Sequence, residues 1–373
     1  MLQVIMKPEL HAFATCKEFA EAFELCADDL VLTNKFIYEP YFGQMGLKVK
    51  TIFQEEYGMG EPSDVMAENI MRDAEKLGGY KRIIALGGGT VIDIAKAMAV
   101  ADVGENLDDL YDVMPNLVKR HELVIIPTTC GTGSEVTNIA VMNRTRKGTK
   151  MGLVGEAMYA DKAVLIPELL QSLPFGVFAT SSIDALVHAV ESCLSPKATA
   201  YTKLFGYKAI EMIVKGYQQI VAKGRESRQA LLEDFLIASN YAGLAFGTAG
   251  CATVHAMAYP LGGQYHVAHG ESNYAVFTGV MKKYMTIKSD GEIAVMNRFL
   301  ADLLDCDCAE VYEKLEDLLN QILPKKALRE YGVKPQECAE FAKSVMENQQ
   351  RLLKNSFVPM TEELVCEIYQ NLY

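Results

Sequence analysis

Short, continuously apolar segments alternate with helical segments over the first part of the chain, and this alternation limits the fold more than any other feature. We predict strands at 29–32, 48–53, 82–86, 122–126 and 163–166, with helices at 66–77 and from residue 91 onward. Strands that are apolar on both faces and separated by helices are typical of a parallel sheet covered on both sides. This part of the chain is therefore predicted to be an α/β domain.

The alternation ends near Pro167, and helical periodicity then continues to the end of the chain. A length of 373 residues is enough for about two domains. We predict an α/β domain over 1–170 and an all-helical domain over 171–373. The helices expected in the second domain lie at 209–222, 229–246, 254–257, 293–304, 308–322 and 335–348.

Charge and composition exclude several kinds of partner. The formal net charge is −12, and a surface this acidic repels phosphate backbones, so no nucleic-acid partner is expected. No segment approaches the ~20 apolar residues of a membrane span, and no secretory signal is indicated at the start of the sequence. The nine cysteines are scattered without a CxxC pair, which favours a reducing cytoplasm. The expected partner is a small molecule.

A glycine-rich turn follows the strand predicted at 82–86. Gly87, Gly88 and Gly89 open a helix, where small residues and free backbone N–H groups suit a pyrophosphate. Thr90 and Asp93 have the spacing of a capping box, so Asp93 is expected to cap the helix, to orient the loop for a cofactor, or to do both. Ile92 stands where a GxGxxG pattern has its third glycine, and a simple tight turn is the alternative.

A second loop, 127–135, follows the strand predicted at 122–126. It carries Thr128, Thr129, Thr132 and Ser134 at the carboxyl end of a strand, where ligands of open α/β sheets bind. The alternative is a hydroxyl-rich turn that satisfies its own backbone. Two such loops in one sheet favour a nucleotide site.

One carboxylate and three histidines in the helical half indicate a metal site. Asp184 and His188 are four residues apart on a helix that we predict to be capped by a serine at 181–182, so they share a face. His255 lies in a helix predicted at 252–259 and ended by Pro260, and His269 follows. This set suits Fe2+ or Zn2+. The alternative is that each histidine is a structural residue with an ordinary hydrogen bond.

Four segments together resemble the signatures of the iron-containing alcohol dehydrogenases: GGGTVIDIAK (87–96), PTTCGTGSE (127–135), SSIDALVHAVES (181–192) and HAMAYPLGGQYHVAHG (255–270). The resemblance covers essentially the whole chain. Within that family the chain is most similar to members that act on 4-hydroxybutyrate, from the segments at 240–247, 265–271 and 349–355. The resemblance implies a dehydroquinate synthase-like fold, with a Rossmann-like N-terminal domain and a helical C-terminal domain.

The resemblance also assigns roles to residues. Ferrous iron, or zinc in some members, would be held by Asp184, His188, His255 and His269. NAD would contact Gly87, Gly88, Gly89 and Asp93 through its pyrophosphate, Thr128 and Thr129 near the adenosine, Thr132 and Ser134 near the nicotinamide, and Lys150 at a ribose. The site would lie in a cleft between the domains of a homodimer.

Two positions depart from the family's usual pattern. Tyr259 stands where many relatives have a second histidine, so either Tyr259 or His266 is expected to relay the proton. Asn34 stands in the first βα turn, where relatives selective for NAD often have an aspartate, so NAD is favoured mainly by similarity.

The expected activity is hydride transfer between NAD(H) and a small primary alcohol or aldehyde, namely 4-hydroxybutyrate and succinate semialdehyde. Tyr265, His266 and Arg351 remain open as partners of the substrate carboxylate. Alternatives are a member of the butanol or 1,3-propanediol class, an NAD-binding lyase of the same fold, or a non-catalytic protein. The helical half lacks the basic residues that a phosphate-bearing lyase substrate requires, and the complete ligand set argues against loss of catalysis.

Overall fold

A computed structural model describes residues 2–373, which form two compact units. One unit is Met6–Leu173; the other combines residues 2–5 with Pro174–Tyr373. Residues 2–5 belong to the second unit because the backbone N–H of Ile5 donates to Thr248 Oγ1, and the carbonyl of Gln3 accepts from Thr199 Oγ1. The boundary predicted after residue 170 rested on fading strand signals, which carry no information about this N-terminal segment.

The first unit is built on a six-stranded, fully parallel sheet, which confirms the predicted α/β class. Its strands stand in the order β1-β8-β5-β4-β2-β3. The central strands are buried along almost their whole length, which explains why their sequences are continuously apolar. The sheet consists of β1 (Glu9–Ala12), β2 (Asp29–Thr33), β3 (Lys50–Phe53), β4 (Arg82–Gly87), β5 (Glu122–Pro127) and β8 (Lys162–Leu165).

Three strands were not predicted. The edge strand β1 is mostly exposed, so it lacks the apolar signal of its neighbours. The other two, β6 (Ile139–Arg144) and β7 (Thr149–Val154), form a separate antiparallel hairpin. Helices of this unit are α1 (Cys16–Ala22), α2 (Lys35–Tyr41), α3 (Asp64–Lys76), α4 (Gly89–Met98) and α5 (Leu107–Val113).

Helix α4 begins without a capping box, contrary to one reading of its sequence. Its N-cap is Gly88, which has no side chain to cap with, and the Thr90 hydroxyl donates to the carbonyl of Gly60. Asp93 is therefore free to make other contacts.

The second unit is helical, as predicted, with α6 at its centre against α7, α8 and α10. By length and composition α6 would suffice to cross a membrane, and so would the bent pair of Arg225–Ala249 with Thr253–Tyr265; 83% of the apolar window of α6 is buried inside the unit. Its helices are α6 (Phe175–Leu194), α7 (Ala200–Lys223), α8 (Leu232–Ala249), α9 (Thr253–Tyr265), α10 (His269–Ile287), α11 (Glu292–Leu304), α12 (Val311–Ile322), α13 (Glu337–Asn348), α14 (Gln350–Leu353) and α15 (Glu362–Asn371).

Candidate functional site

Four side chains from three helices converge inside the helical unit. They are Asp184 and His188 of α6, His255 of α9 and His269 of α10, and one ligand-type atom of each lies within 4.8 Å of the others. The Asp184 carboxylate lies 3.8 Å from His188 Nδ1, 3.6 Å from His255 Nε2 and 3.7 Å from His269 Nε2. The structure thus brings together all four residues for which the sequence predicted a metal-binding role.

The residues fit a divalent transition metal. His188 Nδ1 and His255 Nε2 are buried and have no hydrogen-bond partner within the described chain. A buried polar atom without a partner costs about 1–3 kcal/mol, so these two nitrogens require one. A divalent ion held by the Asp184 carboxylate and the three imidazoles would supply it, and this donor set suits Fe2+ or Zn2+.

Ring packing fixes the orientation of His188. Its imidazole stacks on Phe246 with ring centroids 4.2 Å apart, and on His255 with centroids 4.5 Å apart. These two contacts fix the plane of the imidazole, and in that plane Nδ1 lies 3.8 Å from the Asp184 carboxylate.

Two local predictions about these helices are wrong. Helix α6 begins at Phe175 after Pro174, not at a serine cap near 181, and Ser182 lies in its interior, where its hydroxyl donates to the Phe178 carbonyl. Helix α9 does not stop at Pro260 but continues to Tyr265. Asp184 and His188 still share a face, because that depends only on their spacing within a helix.

A buried carboxylate, Glu191, orients His255. One Glu191 oxygen accepts from His255 Nδ1 at 2.7 Å and from the Ala252 backbone N–H at 3.0 Å, and the other accepts from the Val254 backbone N–H at 2.6 Å. Because Nδ1 is engaged with Glu191 in this arrangement, Nε2 is the nitrogen that faces Asp184 and would be the one to bind a metal ion. A histidine that binds a metal through one ring nitrogen usually donates the N–H of the other to a carboxylate or a carbonyl in this way.

Asn273 performs a similar role for Asp184. Its Nδ2 donates to Asp184 Oδ1 at 2.7 Å and lies 3.3 Å from His269 Nε2. Burial would raise the pKa of Asp184, but the adjacent His188, His269 and His255 outweigh it and hold that pKa well below its usual range. The carboxylate is therefore ionised, as a metal ligand must be.

Helices α6 and α10 approach each other very closely beside His269. A Cβ atom on Gly270 would lie 2.0 Å from the Thr180 carbonyl oxygen and 3.2 Å from Asp184 Cβ. Only glycine permits this approach, which sets the distance between His269 and Asp184.

Both predicted nucleotide loops lie at the carboxyl edge of the parallel sheet in the first unit. Strands β4 and β5 are neighbours, and the Thr128 backbone N–H donates to the Gly87 carbonyl at 3.1 Å. A Cβ atom on Gly88 would lie 3.6 Å from Thr129 Cγ2, and one on Gly89 would lie 3.2 Å from Thr132 Cγ2. The two loops therefore form one surface with little side-chain bulk, which suits a bound dinucleotide phosphate.

Asp93 and Ser134 connect these loops to each other. Asp93 accepts from the Ser134 hydroxyl at 2.9 Å and from the Val141 backbone N–H at 2.8 Å. The fully buried ammonium of Lys96 donates to Ser134 Oγ, Thr137 Oγ1 and the Ile139 carbonyl. In this structure Asp93 positions the second loop, and direct contact with the cofactor stays a prediction.

The remaining predicted residues are more dispersed. Lys150 lies on β7 and forms an ion pair with Glu61 at 2.7 Å. Tyr259 lies one turn after His255 on α9, whereas His266 is exposed at the end of that helix with φ 53°. Of the residues considered for the substrate carboxylate, Tyr265 already donates its hydroxyl to Glu337 at 2.6 Å, and Arg351 is exposed on α14.

Comparisons with known proteins agree with this geometry. The sequence profile of the family described as iron-containing alcohol dehydrogenase matches residues 11–167, and that of the Fe-containing alcohol dehydrogenase family, C-terminal, matches 178–373. The chain belongs to the iron-containing alcohol dehydrogenase family. Its metal cluster and its nucleotide loops each lie within one of the two matched regions.

Individual relatives of this iron-containing alcohol dehydrogenase match it over nine tenths of its length or more. A 4-hydroxybutyrate dehydrogenase of Clostridium kluyveri is 47% identical over 99% of both chains. A long-chain-alcohol dehydrogenase of Geobacillus thermodenitrificans is 33% identical over 91% of this chain and 88% of its own. The structure of a sulfoacetaldehyde reductase from Bifidobacterium kashiwanohense in complex with NAD+ has a TM-score of 0.86 at 22% identity, covering 100% of this chain and 99% of the other.

Sequence reasoning missed three buried residues that support the sites of this alcohol dehydrogenase. Glu191 follows His188 by three residues and Asn273 follows His269 by four, so both share a helix face with a ligand. Lys96 follows Asp93 by three residues on α4. Helical spacing from each predicted site residue was the signal that could have found them.

Proposed function

We propose that this iron-containing alcohol dehydrogenase interconverts 4-hydroxybutyrate and succinate semialdehyde, with NAD(H) as hydride donor and acceptor. The 47% identity with a 4-hydroxybutyrate dehydrogenase over 99% of both chains supports the substrate. The observation that carries the reaction class is the buried cluster of one carboxylate and three imidazoles with two unpaired nitrogens.

The chain's own residues prepare the metal site. Asp184, His188, His255 and His269 would hold the ion, and the ion when bound supplies a Lewis acid that polarises the oxygen of the alcohol or aldehyde. Glu191 keeps the proton on His255 Nδ1, and Asn273 keeps Asp184 turned toward the histidines. Because these partners are already in place, little reorganisation is needed during the reaction.

Gly87, Gly88 and Gly89 would accept the NAD pyrophosphate, with Thr128, Thr129, Thr132, Ser134 and Lys150 beside the rest of the coenzyme. The loops that follow β4 and β5 support this proposal. They are hydrogen-bonded to each other, and the glycines of the first loop leave its backbone accessible to a ligand. The ordered contacts of Asp93 and Lys96 hold this surface before the coenzyme binds, which reduces the entropy lost on binding.

For proton transfer we favour Tyr259 over His266. Tyr259 is partly buried one helical turn from His255, whereas His266 is exposed beyond the end of α9. We expect Tyr259→Phe to change the pH profile of kcat, and His266→Ala to change it less.

We further propose that the enzyme is a cytoplasmic homodimer. All nine cysteines are free thiols in the structure, which favours a reducing compartment. Dimerisation is proposed from the family resemblance, and sedimentation at micromolar concentration measures it.

The decisive assay follows NADH oxidation at 340 nm with protein purified anaerobically and loaded with Fe2+. We expect the highest kcat/KM with succinate semialdehyde, lower values with butyraldehyde and 3-hydroxypropanal, loss of turnover with a chelator, and recovery when Fe2+ is restored. A higher kcat/KM with butyraldehyde or 3-hydroxypropanal would move the enzyme to the butanol or 1,3-propanediol class. No oxidation of NADH with any aldehyde would overturn the dehydrogenase assignment in favour of a lyase or a non-catalytic protein.

A further inference from the structure

We propose that Glu55 makes this enzyme selective for NAD(H) over NADP(H). The inference rests on the proposed nicotinamide coenzyme site. Glu55 follows strand β3, at the edge of the parallel sheet, in the segment Gln54–Tyr57. It supplies the carboxylate that the turn between β2 and α2 lacks, where Asn34 stands.

The strand register places Glu55 beside the predicted coenzyme loop. Thr33 at the end of β2 is paired with Leu86 of β4 on one side and with Phe53 of β3 on the other. The carboxyl ends of the three strands are therefore level, and neighbouring strands are about 4.8 Å apart. Residues that follow β2 and β3 lie next to the glycine turn that follows β4, on the side where α/β nucleotide sites bind the adenosine ribose.

Hydrogen bonds hold the Glu55 side chain at this turn. Its Oε2 accepts from Asn34 Nδ2 at 2.8 Å, and its Oε1 accepts from the Lys35 backbone N–H at 2.6 Å. Asn34 Nδ2 also donates to Gln54 Oε1 at 3.1 Å. Asn34 makes no side-chain cap on α2, and Glu55 instead accepts from the first backbone N–H of that helix, so its carboxylate lies at the β2–α2 turn beside the Asn34 amide.

The charge of Glu55 is not neutralised by a cation. Glu55 takes part in no ion pair among residues 2–373, and the ammonium of Lys35 instead faces Glu39 at 3.6 Å. A carboxylate can accept a hydrogen bond from the ribose 2′-hydroxyl of NAD, whereas it repels the nearly dianionic 2′-phosphate of NADP. Lys35 would attract that phosphate, so the two side chains favour different coenzymes: Glu55 favours NAD(H) and Lys35 favours NADP(H).

Direct binding of coenzyme tests the inference without any substrate. NADH and NADPH are titrated into the iron-loaded protein, and dissociation constants are obtained from nicotinamide fluorescence. We expect wild type to bind NADH more tightly, and Glu55→Gln to narrow the preference at least about tenfold, mainly through tighter NADPH. The matched control is Glu56→Gln, which removes the same charge from the exposed neighbour and should leave the ratio unchanged.

Exchanging the carboxylate of Glu55 with the amide of Asn34 distinguishes two explanations. In one, the negative charge beside the ribose sets coenzyme selectivity; in the other, Glu55 only stabilises the fold. The double variant Asn34→Asp with Glu55→Gln keeps an amide–carboxylate hydrogen bond but moves the charge to residue 34 in the β2–α2 turn, and it should restore the preference for NADH. The inference is overturned if wild type prefers NADPH, if Glu55→Gln and Glu56→Gln give the same ratio, or if the exchange restores thermal stability but not selectivity. If neither coenzyme binds, the nucleotide site itself is wrong. If the coenzymes bind as expected but succinate semialdehyde is not reduced, the proposed substrate is wrong and the inference about Glu55 still holds.

Discussion

A histidine binds a metal ion well only when one ring nitrogen is deprotonated and the ring is held in place, and His255 meets both conditions through Glu191. We predict that Glu191→Gln weakens binding of the metal about 10- to 100-fold. The reason is that a glutamine presents an N–H to one of the three donors that Glu191 now accepts from. The measurement is the dissociation constant for Zn2+ or Co2+ by chelator competition.

The Co2+ spectrum distinguishes positioning from general support of the fold. Glu191→Gln should shift the visible bands, because the geometry and basicity of His255 change, while far-UV circular dichroism stays the same. An unchanged spectrum and an unchanged dissociation constant would show that Glu191 has no influence on the ligand.

His269 is the most exposed ligand, with 34% of its side chain accessible, so its removal should leave the fold largely intact. We predict that His269→Ala purifies with little iron and loses at least about 99% of turnover, because an open cluster of three ligands holds the ion poorly. Metal content by mass spectrometry is the direct measurement. His266→Ala, three residues earlier, is the control for metal content and should retain iron; equal iron in both variants would contradict the ligand assignment.

At the scale of elements, the closeness of α6 and α10 depends on Gly270. We predict that Gly270→Ala lowers stability by about 1–3 kcal/mol and reduces iron content, because a methyl group 2.0 Å from the Thr180 carbonyl forces the start of α10 away from Asp184. Thermal unfolding and metal analysis measure the two effects. Gly263→Ala on α9 is the control, since its Cβ would meet nothing within 4 Å and alanine is the better helix former, so it should lose neither stability nor iron. A similar loss in both variants would contradict the steric explanation.

Strands were more predictable than helix starts, for a physical reason. Buried parallel strands such as β4 and β5 are apolar on both faces, so their sequences are unmistakable. Helices α6, α9 and α10 start after Pro174, Ala252 and Ala268, none of which makes a side-chain cap. Capping residues are the local signal for a helix start, and in their absence tertiary packing decides where the helix begins.

A buried charge connects helix α4 with the second nucleotide loop. Burial lowers the pKa of Lys96 to about 8, although Asp93 and Glu135 oppose this shift. Between pH 8 and the ordinary lysine pKa near 10.5, the folded protein has lost this proton while the unfolded chain keeps it. Unfolding then takes up a proton, so this residue makes the free energy of unfolding rise with pH in that window.

We therefore predict a pH-dependent difference between wild type and Lys96→Met. The variant should be less stable at every pH, because the hydroxyls and carboxylates around Lys96 lose their partner. The gap in the free energy of unfolding should widen by about 1–2 kcal/mol between pH 8 and pH 9.5, since only wild type gains from deprotonation. Urea unfolding at both pH values measures it, and parallel pH dependences would refute the shifted pKa.

At the scale of the whole molecule, residues 87–135 carry the nucleotide loops in one compact unit, and residues 184–269 carry the metal cluster in the other. The sequence predicted which unit carries each site. The nucleotide loops follow predicted strands, whereas Asp184, His188 and His255 lie in predicted helices. It could not predict that residues 2–5 join the helical unit, because that depends on single hydrogen bonds to Thr199 and Thr248.

Each ligand stabilises the unit that contains its contacts. Removing one ligand should therefore speed amide hydrogen exchange in that unit alone. A ligand present at 100 times its dissociation constant stabilises by about 2.7 kcal/mol, which slows exchange through unfolding of that unit about 100-fold. We predict that chelation of the metal speeds amide hydrogen exchange in α6, α9 and α10, and that NADH slows exchange at 87–93 and 128–135. Mass spectrometry of peptides from each unit measures both effects in one sample. Equal acceleration in β4 and β5 on chelation would mean that the metal stabilises the whole chain as one cooperative unit, and that the two sites are not thermodynamically separate.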